Sequence, residues 1–94
     1  MAALLLINRK IVRTDGSIIQ VRVWQLPQPS TERPHGLKYS LFYGRAGQRL
    51  VGYDNETGKG DHRHYGDREE AYVFTSLERL IDDFEVDVEK ELTK

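Results

Sequence analysis

The chain has 94 residues, no cysteine and a formal net charge of −1. That length supports one domain with a single modest core. The lack of cysteine excludes disulfide frameworks, thiolate metal sites and thiol nucleophiles, and fits a cytoplasmic location. The small net charge conceals an asymmetry. From Ser76 onward seven acids accompany three bases, −4 in all, whereas the rest of the chain carries eleven bases and eight acids, +3. Two faces of different sign, meeting different partners, are expected.

The opening run MAALLLI is apolar but short, and NRK follows at once. It lacks the basic leader and small-residue cleavage site of a signal peptide and the length of a membrane span, so it reads as the start of a strand. LLLINRKIVR is β-rich, and the Asp-Gly of Thr14–Ser17 predicts a tight hairpin. In SIIQVRVWQL, Ile19, Val21 and Val23 alternate with Gln20, Arg22 and Trp24, the pattern of a half-buried strand. Pro27–His35 holds all three prolines and is a loop, since proline cannot donate an amide hydrogen bond. GLKYSLFYG alternates again, with Leu37, Tyr39, Leu41 and Tyr43 on one face. RAGQ is the next turn, and RLVGYDN the following strand, where Gly52 marks a bulge or a close approach. After a glycine-rich segment, AYVFT is a candidate fifth strand. The period then changes to 3.6: Leu77, Leu80, Ile81, Phe84, Val88 and Leu92 form one apolar stripe, with Thr75 or Ser76 as the N-cap. The expected fold is α+β, a single domain over residues 1–94. An antiparallel meander of four to five strands is covered on one face by the C-terminal amphipathic helix.

The segment Tyr53–His64, YDNETGKGDHRH, concentrates the ionisable chemistry, with three acids, two bases and two of the three histidines. Its glycines permit bends and close approach to a ligand, and Lys59 lies between two of them. No Walker A spacing is present, which disfavours nucleotide hydrolysis. His62 and His64 fall on one side of an extended segment, with Arg63 opposite. Two imidazoles with cations nearby suit RNA phosphodiester cleavage without metal or cofactor. One neutral histidine takes the 2′-hydroxyl proton, its protonated partner serves the leaving oxygen, and Lys59 or Arg63 steadies the phosphate. Glu56 or Asp61 would orient an imidazole. The same atoms also suit a metal site, in which Asp54, Glu56, Asp61, His62 and His64 offer ligands for Mn, Zn or Fe. Lys59 and Arg63 count against it, as does the absence of a zinc-type spacing. Read plainly, the segment is a polar surface loop.

Outside it, His35 is a further candidate acid or base beside Lys38 and Tyr39. Trp24, Tyr39, Phe42 and Tyr43 are core residues or base-stacking platforms. Arg9, Lys10, Arg13, Arg22 and Arg49 would line a phosphate track if they shared a face.

HGLKYSLFYG, then GQRLVGYDNETGKGDHRHYGDREEAYVF, then TSLERLIDDFEVDV resemble the TumE-type toxins of bacterial and archaeal toxin–antitoxin pairs. The resemblance covers nearly the whole chain, and its YDNExGKGDHRH string is unusual enough to be specific. It implies a cytoplasmic toxin, an RNA-cleaving one in the reading above, held in check by a helix-turn-helix antitoxin. Chemistry, not the family name, assigns the roles. His62, His64, Lys59, Glu56 and Asp61 are the expected catalytic set. Arg63, Asp54, Asn55, His35, Lys38 and Tyr39 are the expected substrate contacts. RNA is the expected ligand, a homodimer is compatible with the sequence, and no membrane partner is expected. Against catalysis stands a binding module that docks a basic partner on its acidic helix or a free sheet edge.

Overall fold

The computed structural model describes residues 3–56, 58 and 60–94. Six strands form one antiparallel meander: β1 (Leu4–Val12), β2 (Ile18–Gln25), β3 (Leu37–Arg45), β4 (Gln48–Asp54), β5 (His62–Tyr65) and β6 (Arg68–Ala71), with spatial order equal to chain order. A single helix, α1 (Leu77–Leu92), follows and covers one face. The α+β class is as expected, but the sheet has six strands rather than four or five. The additional pairing is the β5–β6 hairpin, built from residues that read as the end of a loop. Of the predicted strand Ala71–Thr75, only Ala71 belongs to a strand.

Local chemistry explains the turns. Between β1 and β2, the Asp15 carboxylate accepts hydrogen bonds from the Ser17 amide at 2.9 Å and its hydroxyl at 2.6 Å, while Gly16 takes φ +87°. Those bonds, Ser17's hydroxyl foremost, hold the Asp15 carboxyl below its ordinary range. Between β5 and β6, Gly66 takes φ +60°, so Gly66-Asp67 closes a two-residue hairpin flanked by the Tyr65–Arg68 pair.

Alternation sorts the sheet into two faces. Val21, Val23, Tyr39, Leu41, Tyr43, Val51 and Tyr53 are buried on the face that α1 covers with Leu80, Phe84 and Val88. Ser76 caps α1, its hydroxyl accepting from the Arg79 amide at 3.1 Å. A polar network seals the junction. The Tyr53 and Tyr65 hydroxyls both donate to the buried Asp87 of α1, and the Tyr72 hydroxyl donates to Asp83 at 2.7 Å. Burial, then the acidic partner, raises all three phenols above their ordinary value, so they remain donors.

Candidate functional site

The site lies on the helix-free face, because the strand registers put it there. Asp54 pairs with His62, and Gly52 with His64, across β4 and β5. His64 pairs with Glu69 across β5 and β6. Side chains opposite one another in adjacent strands share a face. Asp54, His62, His64 and Glu69 therefore converge on one patch, away from the helix.

Asp54 is the hinge of the cluster. Its Oδ1 is 2.6 Å from His62 Nε2, and its Oδ2 is 3.4 Å from His64 Nε2. The two imidazole rings meet edge to face with centroids 4.8 Å apart. Glu69 lies 3.8 Å from each ring. Arg49 completes the group: its Nη2 donates to His64 Nδ1 at 3.0 Å, and its Nη1 is 3.8 Å from Asp54 Oδ2. Arg49 reaches His64 by crossing Gly52. A Cβ on Gly52 would stand 2.6 Å from Arg49 Cδ. Gly52 is thus a close approach, while the β3–β4 irregularity falls at Tyr43/Gly44.

The partners assign different proton arrangements to the two histidines. The Gly60 carbonyl, 3.0 Å from His62 Nδ1, can only accept, so His62 Nδ1 carries a proton. The 2.6 Å contact from His62 Nε2 to Asp54 then needs a second proton between them. On His64 the logic inverts. A guanidinium can only donate, so Nδ1 holds a lone pair and Nε2 carries the proton. Burial, then the Arg49 charge, holds the His64 imidazole below its ordinary value and favours the neutral form. His64 Nε2 is also buried without a hydrogen bond.

Asp54, His62 and His64 are the group among the described residues able to hold a metal ion, their ligand atoms all within 4.8 Å of one another. His62 has the form of a metal ligand, with Nδ1–H on a backbone carbonyl and Nε2 toward a carboxylate. His64 does not, since Arg49 keeps the proton on the nitrogen that would have to bind.

The other expected site residues fall elsewhere. Asp61 does orient an imidazole, but that of His35, at 2.9 Å, and it accepts from the Tyr39 hydroxyl at 2.7 Å. His35 Nδ1 accepts from the Leu37 amide at 3.1 Å, and its ring packs at a tilt against Phe74 with centroids 4.0 Å apart. His35, Asp61 and Tyr39 are thus internally satisfied, and burial raises the Tyr39 phenol further above its ordinary value. Asn55 is 1% exposed, and its amide joins the Tyr39 amide to the Leu37 carbonyl. Arg63 points to the helix side, bonding Glu70 at 2.7 Å and the Tyr53 hydroxyl at 3.3 Å. It is separated from the histidines by the thickness of the sheet, so the cation beside them is Arg49. Glu56 is exposed, Lys38 is exposed beside Trp24, and Lys59 lies outside the described residues. Sequence reading left Glu69 out of the site. The Gly66-Asp67 turn was the signal for it, since that hairpin puts Glu69 opposite His64.

No curated protein and no solved structure matches the chain. No helix among the described residues is long and apolar enough to cross a membrane. A family model described as toxin TumE matches residues 3–92, nearly the whole chain. The protein therefore belongs to the TumE family of toxins.

Proposed function

We propose that the protein is a ribonuclease toxin that cleaves RNA by histidine acid–base chemistry. The observation that carries this is the pair of adjacent imidazoles on the helix-free face with opposite partners, a carbonyl acceptor on His62 and a guanidinium donor on His64, joined by Asp54. Arg49 is exposed and lines an open groove of about 490 Å³ with Phe42, Gln48 and Asp67. A phosphate entering that groove draws the guanidinium off His64 and uncovers the Nδ1 lone pair. His64 then takes the 2′-hydroxyl proton as O2′ attacks phosphorus. The proton held between His62 and Asp54 passes to the 5′-oxygen as its bond to phosphorus breaks. The products are a 2′,3′-cyclic phosphate and a 5′-hydroxyl. Arg49 in this scheme takes the phosphate-holding role that the sequence had given to Lys59 and Arg63.

A second reading has an observation of its own. The Asp54/His62/His64 grouping would hold a divalent ion if Arg49 released His64. Family membership implies a cognate antitoxin; a helix-turn-helix protein is our proposal for it.

The test is incubation of purified, partner-free protein with RNA, with and without chelator, beside His64→Ala and His62→Ala variants of verified fold. Cleavage that survives chelator, leaves cyclic phosphate ends and falls by about 10²–10⁴-fold in either variant supports the proposal. Intact RNA, or equal cleavage by the variants, overturns it, and loss on chelation moves the assignment to the metal reading.

A further inference from the structure

The registers do more than assemble the histidine cluster. Followed outward from β5, they draw two rows across the helix-free face. One runs His64, Gly52, Phe42, Gln20, Lys10, and the next runs His62, Asp54, Ser40, Arg22, Asn8. In the adjoining row Trp24 pairs with Lys38, whose Nζ lies 5.5 Å from the indole centroid. Besides Arg49 in the cluster, this face therefore carries three exposed cations, Lys10, Arg22 and Lys38, and two partly buried aromatic rings, Trp24 and Phe42. None of the three cations has an ion pair among the described residues, unlike Arg45 with Asp15, Arg63 with Glu70 and Arg79 with Asp83. The acidic helix lies on the other side of the sheet.

We infer that this face is a track for single-stranded RNA leading to the Asp54/His62/His64 cluster, with bases stacking on Trp24 and Phe42 and phosphates on Lys10, Arg22 and Lys38. The inference rests on the ribonuclease reading for its direction but not for its contacts. Strands lie about 4.8 Å apart, so β2 is roughly 14 Å from β5, a distance a short single strand spans. A partly buried ring at a sheet surface offers one face to a stacking base without sequence preference, on Trp24 once Lys38 swings from the indole to a phosphate. A duplex, whose bases are already stacked, cannot use it. Between the rings and the histidines lie the small Ser40 and Gly52, and the Arg49 side chain crosses over Gly52.

Trp24 is the only tryptophan in the chain, so it reports on its own site. The experiment titrates wild-type protein with a 2′-O-methyl oligouridylate of about ten nucleotides, within the usual site size. That probe has no 2′-hydroxyl to lose and stays intact. We expect quenching of Trp24 fluorescence, at least about tenfold weaker binding in Arg22→Ala/Lys38→Ala, and a log–log salt slope near −2 for three phosphates on a single strand. Both variant positions are exposed, so the fold is retained, and circular dichroism verifies it. Binding without a change in Trp24 emission, or equal quenching by duplex RNA, overturns the track. The two proposals separate cleanly. Quenching by the probe without cleavage of ordinary RNA keeps the track and removes the nuclease. Cleavage without quenching keeps the nuclease and removes the track.

Discussion

At the scale of single residues, Gly52 and His64 decide how the cluster works. Gly52 has an ordinary negative φ, so alanine there meets no backbone strain. Its methyl group collides only with the Arg49 side chain, a movable obstacle. Gly52→Ala is therefore expected to displace Arg49 from His64 and lower RNA cleavage by about tenfold or more, with stability changed by less than about 1 kcal/mol. Parallel activity assays and urea unfolding check this. His64 makes a separate prediction through pH. Its folded value lies below the ordinary 6.5 because of burial and Arg49. The unfolded chain thus takes up the proton first as pH falls. The neutral form's contribution to stability is complete above about 6.5 and is lost as pH drops through the folded value. Melting curves between about pH 4.5 and 8 should show a steeper acid-side loss in wild type than in a His64→Gln variant. Residue types alone made His62, His64 and Asp54 legible as candidates. They did not divide the roles, because a carboxylate's partner depends on strand register. Asp61, one residue from His62 in sequence, serves His35 instead.

At the scale of elements, the β5–β6 hairpin and the helix junction carry the consequences. His62–Tyr65 looked like loop because its residues are charged and follow three glycines within nine positions. It is a strand because both its neighbours supply partners, β4 on one side and β6 on the other. Strand propensity is weak in so charged a segment, and the Gly66-Asp67 turn was its one local signal. The helix, by contrast, was legible throughout, since its apolar stripe repeats within the element itself. Its buried Asp87 was not, for an aspartate on a largely acidic helix reads as solvated surface. Asp87→Ala removes the acceptor for the Tyr53 and Tyr65 hydroxyls and should cost about 2–3 kcal/mol. In a domain of this size that lowers the melting temperature by roughly 10–20 °C. Asp87→Asn keeps one acceptor oxygen and should lose less. Differential scanning calorimetry of both variants distinguishes a satisfied network from a surface charge.

Across the whole molecule, the sheet acts as a partition. Helix, tyrosines and Arg63 lie on one side, and His62, His64, Arg49, Lys10, Arg22 and Lys38 on the other. Two arginines therefore make opposite predictions. Arg49→Ala should lower RNA cleavage by about 10²-fold and leave the fold in place, since the side chain is exposed. Arg63→Ala should lower stability by about 1–2 kcal/mol by breaking its bonds to Glu70 and Tyr53 and leave the rate per folded molecule nearly unchanged. Growth on induced expression without a partner gene extends the same contrast to cells. Arrest should persist with Arg63→Ala at matched soluble levels and vanish with Arg49→Ala. The opposite pattern would place the functional surface on the helix side and favour a docking module.

The sequence by itself determined the α+β class, the alternating core of β2 and β3, the Asp-Gly turn, the terminal helix and the concentration of ionisable residues near Tyr53–His64. All of these depend on neighbours a few positions apart, where period and turn chemistry act directly. Tertiary structure alone decided which carboxylate meets which histidine, which arginine reaches them, and that Arg63 and the imidazoles occupy opposite faces. Those outcomes follow from the register of paired strands. There a shift of one residue exchanges the two faces, and no local pattern in the charged β5 strand specifies which way it falls.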